Sequence, residues 1–217
     1  MWGIKQMGND NSKETIEKLL QSAKKEFIEK GYMKASLRNI CKEAGVTTGA
    51  LYFFFKDKDD LFRGVVGGPL RELYAILETH ILEELEELKR YTPDTEVNLE
   101  DDKAVAIQVV KLLFRYKEEY ELLITKAQGS SLENVVDEIA DQMNIHYSDV
   151  FCTMKGYKSK KQMTKEDKFI VHWMAHDQVD IFIHLLTHCK SEKEALRQIR
   201  ALFGYIIGGW YGVIKSS

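Results

Sequence analysis

Gly45-Val46-Thr47-Thr48-Gly49-Ala50-Leu51-Tyr52-Phe53-Phe54-Phe55-Lys56-Asp57-Lys58-Asp59-Asp60-Leu61 is the stretch whose reading decides the fold. Gly45 permits the backbone bend that ends one helix, and Thr47 or Thr48 can cap the next. Small residues keep the leading face of that second helix open to a groove. Leu51 and Phe55, four apart, face inward, while Thr48, Tyr52 and Lys58 stay available to a partner. The pattern is that of a turn followed by the second helix of a helix-turn-helix, and so points to duplex DNA. An aromatic run such as Tyr52 to Phe55 more often fills a core, but a plain helical bundle has no need of a Thr-Thr-Gly-Ala segment between two caps.

Upstream, Asn11-Ser12-Lys13-Glu14 has capping-box spacing. Ile16, Leu19, Leu20, Ala23 and Phe27 then mark one apolar face, which Gly31 ends. Ser36 can cap a second helix that turns Leu37, Ile40, Cys41 and Ala44 inward and Arg38, Asn39 and Lys42 outward. Val46, Leu51 and Phe55 complete a three-helix core.

In order along residues 12–63, the corner Phe27-x3-Gly31-Tyr32, then Ser36-Leu37-Arg38-Asn39-Ile40, Ala44-Gly45-Val46-Thr47, Gly49-Ala50-Leu51-Tyr52, Phe55, Lys58 and Leu61 resemble the amino-terminal domain of the TetR family of transcriptional regulators. The resemblance implies that Ser36 and Thr47 are phosphate-binding caps. It places Thr48, Ala50 and Phe53 on the recognition face and Tyr52 and Lys58 on the DNA backbone; Gly49 and the outward-facing Arg38 of the helix before are also expected at the DNA. Phe54 departs from the polar aromatic frequent in the family, and Cys41 from its usual alanine. Phe53, Phe54 and Phe55 offer few hydrogen-bonding groups, which leaves the bases read unspecified.

The net charge of −3 argues against a nucleic-acid partner until its distribution is examined. Through Arg63 there are 12 Lys and Arg against 9 Asp and Glu, leaving 19 against 25 for the rest. A phosphate-binding surface therefore belongs in the first third.

A chain of 217 residues that is 44% hydrophobic, with two prolines and a sustained 3.6-residue apolar period, predicts an all-α fold. The expected division is a helix-turn-helix head over 1–60 and a larger helical domain over 61–217. The polar start and the lack of a long apolar run predict a cytoplasmic protein with no membrane partner. Cys41, Cys152 and Cys189 are too scattered for a disulfide framework or zinc knuckle and read as buried thiols.

In the remainder, Gly67-Gly68-Pro69 predicts a kink or break and Thr92-Pro93-Asp94 a turn. Glu83 to Glu87 reads as a solvated face and Gly156 to Lys161 as a basic, solvated loop. Helices are expected over 100–116, 117–127, 131–152, 164–189 and 191–214, the last two opened by Thr164-x-x-Asp167 and Ser191-x-x-Glu194. Gly204, Gly208 and Gly212 recur at intervals of four in the final helix, each costing about 1 kcal/mol relative to alanine. Close packing would offset that cost, either within the chain or across a dimer. The resemblance favours a homodimer contact through the last two helices, with Ile206 and Trp210 beside the glycines.

The resemblance further implies a small-molecule effector, organic in type, that changes the spacing of two reading heads. Phe114, Tyr120, Tyr147, Phe151, Trp173 and Asp177 could line its cavity, although such residues at helical spacing also make ordinary core. His172, His176, Asp180, His184 and His188 recur every four residues, and His172 with His176 could chelate a metal, the competing effector. The plainer reading is a polar stripe along a helix. His146 with His176-Asp177 and Asp180 fits only poorly the ligand pattern of metal-dependent phosphohydrolases. No cofactor motif, phosphate-cradling loop or nucleophile elbow is present, so no enzymatic activity is expected.

Overall fold

The computed structural model describes residues 10–92 and 99–215. It is all-α: among the described residues the helices are α1 (Asp10–Lys34), α2 (Leu37–Ala44), α3 (Thr48–Phe54), α4 (Lys58–Leu88), α5 (Glu100–Arg115), α6 (Lys117–Lys126), α7 (Val135–Met154), α8 (Lys165–His188) and α9 (Glu192–Lys215), with a 3-10 turn at Lys160–Gln162. No described helix is long and apolar enough to cross a membrane.

Two compact units divide the chain. The first comprises Met1–Arg71 with Tyr116–Asn134, and the second Glu72–Arg115 with Val135–Ser217. The first therefore holds α1 to α3, the start of α4, and α6. In it, Leu19, Ala23 and Phe27 of α1 are fully buried, as are Ile40, Leu51, Leu61, Phe62 and Val66. Phe27 and Phe62 meet edge to face at 5.1 Å. Helix α6 is tied to α1 by Lys24, whose ammonium lies 2.7 Å from Glu118 and 2.8 Å from Glu119.

In the second unit, Val110, Ile181, Leu185, Ala195, Ile199 and Phe203 join α5, α8 and α9 into one apolar cluster. Phe151, Val171, Met174 and Trp210 centre another. Cys41, Cys152 and Cys189 are free and buried, as their scatter implied.

Local signals succeed and fail for identifiable reasons. Gly31 ends the regular part of α1 with φ 71 and ψ 162, a conformation costly for any residue with a Cβ. Thr164 and Asp167 form the reciprocal capping box at the start of α8. At α9 only half the expected box forms: Ser191 Oγ accepts from the Glu194 amide at 3.2 Å, while the Glu194 carboxylate accepts from Lys190 N instead. The capping box expected over Asn11 to Glu14 is absent, since α1 already runs from Asp10.

The break expected at Gly67-Gly68-Pro69 is also absent, and α4 runs through Pro69. Val66 and Leu70, buried on either side, hold the segment in register. The Tyr120 hydroxyl donates to the Pro69 carbonyl at 2.7 Å. Helix α7 starts at Val135 rather than 131, because Ser131 is drawn to α4: its amide and hydroxyl donate to Asp59 at 2.7 and 2.8 Å. The basic loop is partly anchored, with Lys160 Nζ 2.9 Å from Asp149 and from the Ile145 carbonyl. The turn expected at Thr92-Pro93-Asp94 lies, beyond Thr92, outside the described residues.

Candidate nucleic-acid interface

Two consecutive caps build the turn between α2 and α3. Gly45 takes the left-handed conformation, φ 68 and ψ 29. Its amide donates to Lys42 O at 3.3 Å, and the Val46 amide reaches Cys41 O at 2.9 Å. These two bonds are the Schellman pairing, which satisfies carbonyls that the end of a helix leaves open. One residue later Thr47 is extended, and its Oγ1 accepts the Ala50 amide at 3.1 Å. Chain reversal and the start of α3 are thus both fixed by backbone chemistry.

At the start of α2, Ser36 Oγ accepts from the Asn39 amide at 3.4 Å. Glu26, on α1, accepts from the Ser36 amide at 3.0 Å and from the Asn39 side chain at 3.5 Å. A carboxylate on the scaffold helix thereby orients the cap, a link that residue spacing alone does not reveal. Arg38 and Lys42 are exposed on α2.

Helix α3 splits its aromatic run cleanly. Leu51 is fully buried and Phe55 is 5% exposed, whereas Tyr52 is 54% and Phe53 67% exposed. Thr48 and Gly49 are exposed, and Ala50 is half-buried. Phe54 is half-buried and meets Phe53 edge to face at 5.0 Å. The outward positions thus carry a hydroxyl, two large aromatics and small residues, a surface able to enter a groove and contact base edges and methyl groups.

Lys58 has an unexpected occupation. Its ammonium donates to Met33 O at 3.1 Å and Ala35 O at 3.3 Å, and lies 4.6 Å from the centre of the Tyr32 ring. Burial lowers its pKa. The lysine therefore clamps the end of α1 to the start of α4; an ammonium has three donors, so two carbonyls do not exhaust it. Asp57 caps α4 by accepting the Asp60 amide at 2.8 Å, and Asp60 accepts the Lys56 amide at 3.1 Å.

The residues read as a cavity lining are divided between the two units. Tyr120 is buried in the first unit on Pro69. In the second, Phe114 packs on the α5, α8 and α9 cluster, Phe151 is buried in the other cluster, and Tyr147 donates to Gln178 and meets Trp210 at 5.3 Å. Burial raises the Tyr147 pKa, keeping the phenol neutral. Trp173 and Asp177 do share a shallow cleft between α8 and α9, with Tyr205, Ile206 and Gly209. The Tyr205 hydroxyl donates to Asp177 at 3.3 Å.

On α9 the expected interface group divides. Gly204, Gly208 and Gly212 are exposed, and a Cβ on any of them would meet nothing within 4 Å, so they do not serve packing inside the described chain. Trp210 is instead buried within its own unit, with Ile206 packed beside it. Spacing did not separate the buried positions of α9 from its exposed ones. The His172 and His176 rings stand 4.5 Å apart on α8, and Asp141 of α7 brings a carboxylate into their range.

Residues 19–65 match the sequence model described as bacterial regulatory proteins, tetR family. Over 54 residues the chain is 44% identical to the HTH-type transcriptional repressor BepR of Brucella suis, covering 25% of this chain and 26% of that protein. It is 38% identical over 84 residues to the HTH-type transcriptional regulator AcrR of Shigella flexneri, covering 38% and 35%. The chain thus spans about a quarter to a third of the length of these curated relatives. A solved transcriptional regulator from Aquifex aeolicus superposes with a TM-score of 0.57 over 88% of this chain and 99% of that one, at 18% identity. That likeness extends the common fold well beyond residue 65.

Proposed function

We propose that this chain, whose residues 19–65 belong to the tetR family of bacterial regulatory proteins, is a DNA-binding transcriptional repressor that reads a palindromic operator as a homodimer and is released by a small organic molecule. The observation that carries the reading is the division of α3: Leu51 and Phe55 hold the core while Tyr52 and Phe53 stand exposed beside Thr48 and a capped turn. Large aromatics exposed on a seven-residue helix are costly surface unless a partner covers them. One helix of that length reads only a few base pairs, and a two-fold pair doubles the site read. The glycine stripe of α9, open to solvent in the single chain, supports a helix-to-helix dimer contact through Gly204, Gly208 and Gly212. The functional division is a DNA-binding part over 1–60 and a dimerisation and effector-binding part over 61–217.

Selection of bound duplexes from random DNA tests the reading. A palindrome should emerge, bound less tightly as salt rises, because basic groups on two heads release counterions. Thr48→Ala and Phe53→Ala should change the preferred sequence rather than weaken every sequence alike. Equal binding to heparin, single strands and duplex at moderate salt would refute it.

The effector reading rests on the family and on the cleft at Trp173 and Asp177. A metal effector has one observation in its favour, the approach of Asp141 to His172 and His176. Operator release by zinc that disappears in the double variant His172→Ala, His176→Ala would establish the metal reading in place of the organic one.

A further inference from the structure

DNA reading gives no role to a group of ionisable side chains in the second unit, far along the sequence from the exposed histidines of α8. His80 and Glu84 lie one turn apart on α4 and project from one face. Asp102 comes from the first turn of α5 and His146 from the middle of α7. His80 Nε2 is 3.4 Å from Asp102 Oδ1 and 3.8 Å from Glu84 Oε2. One ligating atom from each of His80, Glu84 and Asp102 lies within 4.8 Å of the other two. Their side chains are 18%, 25% and 31% exposed, and that of His146 only 2%.

The 3.4 Å between His80 and Asp102 is the separation of two ligands around one ion, and Glu84 stands close to both. Two donors at about 2.1 Å from a tetrahedral metal stand about 3.4 Å from each other. The fourth residue behaves differently: His146 Nε2 is 2.6 Å from Glu84 Oε2, too close for two ligands of one ion and suited to a hydrogen bond. Its Nδ1 is buried with no hydrogen-bond partner among the described residues. The buried imidazole is thus committed to Glu84, the arrangement in which an outer histidine fixes the orientation of a ligating carboxylate.

We propose that His80, Glu84 and Asp102 bind a first-row divalent cation of the zinc type, with His146 as the positioning residue that holds Glu84. Imidazole and carboxylate together favour such an ion over calcium, which takes oxygen ligands, and over copper(I), which takes sulfur. A dipositive ion also offsets two sheltered carboxylates that otherwise repel each other. Three protein ligands from α4 and α5 leave at least one position for water or an anionic ligand.

The test uses the full chain after chelation, carrying His172→Ala, His176→Ala, His184→Ala and His188→Ala so that the imidazoles of α8 do not contribute. Calorimetric titration with zinc(II) should give one saturable equivalent per chain. Cobalt(II) should give a visible spectrum without a thiolate charge-transfer band. Asp102→Asn, nearly isosteric and chosen in case His80→Ala fails to fold, should abolish binding; His146→Gln should weaken it by about 10- to 100-fold while retaining the stoichiometry. Absence of saturable binding, or equal binding in the Asp102→Asn protein, would overturn the proposal and leave the cluster as a network of polar contacts among imidazoles and carboxylates. Operator binding is read separately, so neither result depends on the DNA-binding assignment.

Discussion

Lys58→Met separates the two jobs that the sequence and the structure give one lysine. Methionine keeps most of the apolar stem but removes the ammonium that donates to Met33 O and Ala35 O and lies over Tyr32. A hydrogen bond from a charged donor contributes about 1.5–3 kcal/mol when buried. Here one bond is exposed and the other part-buried, so water can replace much of each, and together they contribute about 1–2 kcal/mol. The cation over Tyr32 adds about 0.5 kcal/mol at a half-open site. A loss near 2 kcal/mol corresponds to a melting temperature lower by about 4–8 °C for a chain of this size. Differential scanning calorimetry measures the shift, and hydrogen exchange should place the loosened amides at the α1 to α2 corner. A pure phosphate contact would behave otherwise. If Lys58→Met weakened operator binding uniformly while the melting temperature and the exchange of residues 31–40 stayed at parent values, the clamp would contribute nothing and the reasoning would fail.

Two further outcomes follow from the second unit. Gly208→Leu should leave the single chain folded, since nothing lies within 4 Å of the added Cβ, yet sedimentation should show a weaker dimer and operator affinity should fall with it; an unchanged dimer would place the contact elsewhere. In chelator-treated protein, burial, aided by the charge of Glu84, raises the Asp102 pKa from 3.8 to about 6. The folded state then holds a proton that the unfolded chain has released between those values, so this group makes stability fall as pH rises from about 4 to 6 and leaves it lower above that range. A rise of that size sets a ceiling of about 3 kcal/mol, reduced by solvent at a side chain that is 31% exposed. Asp102→Asn should flatten that slope and raise the melting temperature at pH about 7.5, well above the titration range; an Asn variant no more stable there would refute the assignment.

Short-range chemistry is what the sequence by itself determined. The caps at Ser36, Thr47 and Thr164, the left-handed turn at Gly45 and the inward pair Leu51 and Phe55 each depend on residues within four positions, and each forms accordingly. The all-α character follows equally from a local apolar period. Pro69 shows the limit of such signals. Its local rule favours a break, but burial of Val66 and Leu70 on either side of it, a contribution made by other parts of the chain, keeps α4 continuous. Long-range pairing was equally out of reach. No spacing rule links Glu26 to Ser36, Lys58 to the carbonyls of 33 and 35, or Ser131 to Asp59, 72 residues away. The broad apolar face of α9 was legible, yet only packing decided that Trp210 faces inward while Gly208 faces solvent. His80, Glu84, Asp102 and His146 carry no common signature in the sequence, because three helices must assemble before the two imidazoles and two carboxylates become neighbours. Periodicity fixes which side of a helix is apolar; which neighbour covers it is settled by packing energies summed over residues distant in sequence.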